Sequence, residues 1–129
     1  MNQELMRFPI DWPNECPPND AVPAEGTVYR LVKNNPCEQN DFRSHRELGK
    51  LPNADPCLRC GLSVFRDIAD AKHQHCAYPK LGNFIARANV NATHGRTKLT
   101  QGQQPSHTTW WPHEDIERHT LFTHLEEIQ

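Results

Sequence analysis

Apolar side chains fall in short alternating runs along this chain, never in one long block. The clearest run covers residues 27–32, where Val28, Tyr29, Leu31 and Val32 follow Gly26 and stop before Asn34, Asn35 and Pro36. β-branched and aromatic residues bounded by turn formers predict a strand. Residues 62–65 predict a second strand, and residues 84–90 alternate as a half-buried third. Gly95 turns the chain into residues 96–100, and a polar loop follows at 101–106. Residues 108–111 and 121–125 are the last predicted strands, with an acidic turn after Pro112 between them.

Two segments predict helices. Residues 38–48 carry Glu38 and Asp41 early and Arg43 and Arg46 late, an order that suits the helix dipole, and Gly49 can close the end. Residues 67–78 start at Asp67, a good N-cap, with Asp70 standing in for the glutamate of a capping box. Pro79 stops that helix, and residues 51–56 read as a loop.

Pro9, Pro13, Pro17, Pro18 and Pro23 crowd the first 26 residues. Proline at that density excludes a helix interior or a central strand. Residues 1–26 therefore form an extended arm, and residues 27–129 a single α+β domain. Its sheet is small and mainly antiparallel, with two short helices.

Composition narrows the function classes. Fourteen basic residues face sixteen acidic ones, for a net charge of −2. Binding to nucleic acid through its phosphates needs many cations, so charge argues against that partner. No apolar run approaches the roughly 20 residues of a membrane helix, and the N-terminus lacks the basic and apolar regions of a secretory signal. Five cysteines form an odd set without a repeating framework. The expectation is a chain of free thiols in the cytoplasm.

Cys57 and Cys60 make a C-x-x-C pair, and His73 and Cys76 follow at helical spacing. Zinc needs four such ligands in a tetrahedron, so Cys57, Cys60, His73 and Cys76 form a candidate Cys₃His site. The competing reading is a turn with two cysteines followed by an ordinary polar helix.

Further on, Ser106, His107, Thr108 and Thr109 precede Trp110 and Trp111. A histidine beside hydroxyls suits acid–base work, which makes His107 a candidate catalytic residue, and Trp110 can floor a base or nicotinamide pocket. In the alternative, the two indoles point to opposite sides of a strand, one in the core and one exposed or lining a site. Arg30 stands mid-strand, where a guanidinium is costly unless paired or holding an anion. A salt bridge to a carboxylate such as Glu47 competes with an anion site there.

The order of these segments resembles the ADP-ribosyltransferase-like family, which includes small NAD-consuming toxins. Tyr29 and Arg30 look like the aromatic–Arg pair with which that family's first strand holds NAD. Ser63 and Phe65, on a strand followed by a helix, are similar to its second element. The resemblance implies that Arg30 grips the pyrophosphate, that Ser63 supports the nicotinamide ribose and that an aromatic side chain stacks on nicotinamide. It also implies a catalytic glutamate from a late strand. Glu114, Glu117, Glu126 and Glu127 are the available residues, and Glu117 is the choice. NAD is then the substrate, for ADP-ribosyl transfer or hydrolysis. From a different class comes a non-enzymatic interaction or regulatory module stapled by zinc, with a protein partner in place of a nucleotide.

Overall fold

The computed structural model describes residues 7–128. Seven strands form one sheet: β1 (Val22–Pro23), β2 (Gly26–Val32), β3 (Leu62–Phe65), β4 (Phe84–Val90), β5 (Gly95–Leu99), β6 (His107–Pro112) and β7 (His124–Glu127). Their order is β1-β5-β6-β3-β2-β4-β7, and every neighbouring pair is antiparallel. Three helices accompany them: α1 (His45–Leu48), α2 (Pro56–Cys60) and α3 (Ile68–Ala77). The α+β architecture matches the sequence reading. Pro23 lies in the short edge strand β1, where a missing N–H does least harm.

The two faces of the sheet bury different clusters. On one, Val28, Val32, Leu62, Val64, Ala86, Ala88 and Trp110 pack under Phe42 and Phe122. On the other, Leu31, Phe65 and Ile85 pack under Ala71 and Ile68 of α3, while Trp111 is covered by Phe8, Trp12, Ala21 and Cys60. The N-terminal arm thus closes part of the second face.

Four local expectations need correction. Residues 38–48 are not one helix: a 3-10 turn, Gln39–Phe42, gives way to α1 at Arg43. Asp41 causes the break, because its buried carboxylate accepts from the backbone amides of Lys33 and Glu38. Ser44 then caps a new helix with Glu47 in a capping box. The C-x-x-C pair lies on α2 rather than in a turn, with Asp55 as N-cap and Pro56 in the first turn. The last strand begins at His124, because a 3-10 turn occupies Arg118–Leu121. Asp70 in α3 accepts from the Ser106 amide at 2.9 Å rather than completing a capping box.

Cys16 and Cys57 form a disulfide across 41 residues. The expectation that all five cysteines stay free therefore fails at this pair, while Cys37, Cys60 and Cys76 remain thiols. The bridge ties the arm to α2. Reduction is expected to lower stability by roughly 2–4 kcal/mol, mainly by freeing the unfolded chain. Urea melts with and without reductant measure this, and coincident curves would show that the bridge constrains nothing.

Candidate functional site

The sheet opens between two of its central strands. Seven residue pairs join β2 to β4 and four join β3 to β6, but β2 meets β3 only at Tyr29 and Phe65. Arg30 spans this opening. Its Nε donates to the Asp41 carbonyl at 2.9 Å and its Nη1 to the Ser63 carbonyl at 2.7 Å. The guanidinium lies 5.6 Å over the Phe42 ring. Burial lowers its pKa to about 10, against the opposing pull of Asp41, so it stays charged at neutral pH. Glu47 is not its partner, since Arg118 takes that carboxylate at 2.7 Å. Nη2 of Arg30 makes no hydrogen bond among the described residues.

On the opposite face of the sheet from Arg30 and Phe42 stands a connected polar group. Ser63 is exposed on β3, and its Oγ lies 2.9 Å from Nε2 of His107 on β6. The antiparallel register sets this meeting by pairing Phe65 with His107 and Ser63 with Thr109. On the other side of the ring, Nδ1 lies 3.0 Å from Thr100 Oγ1 and 3.3 Å from the Thr100 carbonyl. Thr100 Oγ1 is in turn 2.9 Å from Thr109 Oγ1. In the tautomer with its proton on Nδ1, the ring donates to the Thr100 carbonyl, which can only accept. Nε2 then offers its lone pair to the Ser63 hydroxyl, which donates.

Packing fixes the imidazole in place. Phe65 meets it edge-on at 5.7 Å. Gly102 lies against its other surroundings, where a Cβ would come within 3.0 Å of the ring. Close approach of the 101–106 loop thus favours glycine here, since a larger residue would push on the ring. Burial pushes the His107 pKa below its ordinary 6.5, partly opposed by its hydrogen bond to Thr100. His107 is therefore neutral and basic at neutral pH. An NMR titration of its ring should give a midpoint below 6.5. Since the folded pKa is the lower one, this group's contribution to stability is present above pH 6.5 and is lost as pH falls through the folded value. A midpoint at or above 6.5 would contradict the buried, oriented base.

The remaining predicted residues are dispersed. Tyr29 and Phe65 belong to the apolar cluster under α3, next to the polar group but turned to packing. Trp110 is fully buried in the main core and presents no face to a ligand, which corrects its expected role as a pocket floor. Glu117 lines a separate cavity of about 200 Å³ with Phe42 and Arg118, whereas His107 packs on the other face of the sheet.

The four expected zinc ligands are not gathered. Cys57 is in the disulfide, Cys60 is buried beside Trp111, and His73 and Cys76 are exposed on α3. Among the described residues, no group of three or more histidine, cysteine or carboxylate side chains is arranged to hold a metal.

Sequence reasoning missed Thr100, and met Thr109 only as one of the hydroxyls near His107. Alternation along β6 does place His107 and Thr109 on one face, but only the β5–β6 hairpin brings Thr100 to them. No known protein family, curated protein or solved structure matches this chain. Among the described residues, no helix is long and apolar enough to cross a membrane.

Proposed function

We propose that this chain is an ADP-ribosyltransferase-like domain that binds NAD at the opening between β2 and β3 and releases nicotinamide from it. One observation carries the reading. Arg30, Ser63 and His107 come from three neighbouring strands and are joined in series, Arg30 to the Ser63 carbonyl at 2.7 Å and the Ser63 hydroxyl to His107 at 2.9 Å. These are side chains of the kinds such chemistry needs, a fixed cation, a hydroxyl and a base.

In this reading NAD reaches through the opening, so that the free edge of the Arg30 guanidinium, on the Phe42 face, receives the pyrophosphate while the nicotinamide end lies on the His107 face. Main-chain carbonyls already hold two of the guanidinium nitrogens, so little side-chain freedom is lost on binding. Ser63 meets the nicotinamide ribose, and His107 takes the proton from the group that adds to C1′ as nicotinamide leaves. His107 thus fills the place that the family resemblance gave to Glu117. A cytoplasmic site of action would supply NAD. The Cys16–Cys57 disulfide favours passage through an oxidising compartment as well, which a toxin-like protein would meet on export.

Thermal melts with and without NAD test the reading, together with chromatography of released nicotinamide. Ligand at ~100 times its Kd should stabilise by about 2.7 kcal/mol. Unchanged melts together with no release of nicotinamide would dismiss NAD as the substrate.

A further inference from the structure

The geometry points to Ser63 as a nucleophile that takes the ADP-ribosyl group covalently from NAD, with His107 as its base. This inference rests on the NAD reading above and goes one step into it.

The proton inventory comes first. With Nδ1 of His107 donating to the Thr100 carbonyl, Nε2 is the acceptor, and the hydroxyl it faces is that of Ser63 at 2.9 Å. In that tautomer the Ser63 hydroxyl donates to Nε2, and Ser63 itself is exposed to an incoming group. A hydroxyl paired with a base that a third group orients is the arrangement of an activated nucleophile. Thr100, itself held by Thr109, supplies the orientation.

The second argument is the set of carboxylates. Stabilising a free oxocarbenium ion at C1′ calls for a negative charge beside it. Among the described residues, no carboxylate hydrogen-bonds to Ser63 or His107. Those nearby in the fold are engaged elsewhere: Asp67 caps α3, Asp70 holds the Ser106 amide, and Asp41 holds Lys33 and Glu38. A neutral oxygen that bonds to C1′ as nicotinamide departs relieves the cation without a counter-charge.

The step balances. Ser63 Oγ forms a bond to C1′ and the C1′–N bond breaks. Its electron pair returns to the pyridinium ring, which leaves as neutral nicotinamide, and the Ser63 proton moves to His107 Nε2. Nothing is oxidised or reduced. Water or an acceptor hydroxyl then displaces Ser63 at C1′, giving its own proton to Ser63 or to solvent as the base resets. Two displacements return C1′ to its starting configuration.

The test is an acid-quenched incubation of the full chain with NAD, followed by intact mass, peptide mapping and a nicotinamide assay. Wild type should gain the mass of one ADP-ribosyl group on the peptide that contains Ser63. S63A, at an exposed position and with its melting temperature checked, should lose the adduct entirely. H107Q should form it ~10²–10⁴ times more slowly, the usual weight of a general base. Nicotinamide released at undiminished rate by S63A, with no adduct in wild type, overturns the covalent step and leaves the proposed function standing. Neither nicotinamide release nor protection by NAD overturns both.

Discussion

Trp110→Ala and Trp111→Ala should each destabilise the protein by roughly 3–5 kcal/mol, the range for removing a buried aromatic side chain. Both indoles are completely buried although they are neighbours on one strand and face opposite ways. Trp110 packs 5.9 Å from Phe122 in the main core and donates its Nε1 hydrogen to the His94 carbonyl at 3.1 Å. Trp111 lies under the arm and α2, and its Nε1 hydrogen goes to the Cys57 carbonyl at 2.9 Å. Each truncation opens a cavity and leaves a carbonyl without its donor. Urea denaturation measures both losses. A second readout separates them: Trp111→Ala should also expose the arm to proteolysis, because Phe8 and Trp12 lose the surface they cover, whereas Trp110→Ala should not. A small loss at Trp111 would mean that the arm does not seal this face in solution.

This pair shows where sequence reading reaches and where it stops. Alternation was enough to place β2, β3, β4 and β6 within a residue or two, because each has one face against a dense apolar cluster. It also put Trp110 and Trp111 on opposite faces. It could not show that the second face is closed by an arm from the start of the chain, since Phe8 and Trp12 carry no periodicity that names their target. The C-x-x-C spacing misled for a similar reason. The partner of Cys57 lies 41 residues upstream, and local spacing contains no information about it. Helix 38–48 failed at Asp41, whose carboxylate satisfies amides that a continuous helix would have oriented otherwise.

The site was legible in its parts and not in its assembly. Ser63 was singled out through the family resemblance and His107 through the hydroxyls beside it. Their meeting depends on the register that sets Phe65 against His107, a non-local fact. Glu117 is a residue whose surroundings the sequence could not show. A carboxylate was chosen from the right stretch of sequence, but the chain after β6 carries it to the cavity beside Phe42, away from His107.

Arg30 is the residue at which structural and functional roles must be told apart. Arg30→Met should cost roughly 3–5 kcal/mol, because it removes two charged hydrogen bonds, to the carbonyls of Asp41 and Ser63. Arg30→Lys should cost less, roughly 1.5–3 kcal/mol, the worth of the one charged hydrogen bond that a single ammonium cannot replace when it reaches only one carbonyl. Lysine keeps the charge at the opening but has no planar fork, so NAD should no longer protect the variant against heat at a concentration that protects the wild type. Comparing the two melts, each with and without NAD, isolates the ligand effect from the intrinsic loss. Retention of full NAD protection by Arg30→Lys would leave Arg30 as a clamp between β2, β3 and the Gln39–Phe42 turn. The pyrophosphate would then have to be held by another cation. Loss of protection beyond the intrinsic destabilisation would show that the same guanidinium both closes the split in the sheet and reads the ligand placed in it.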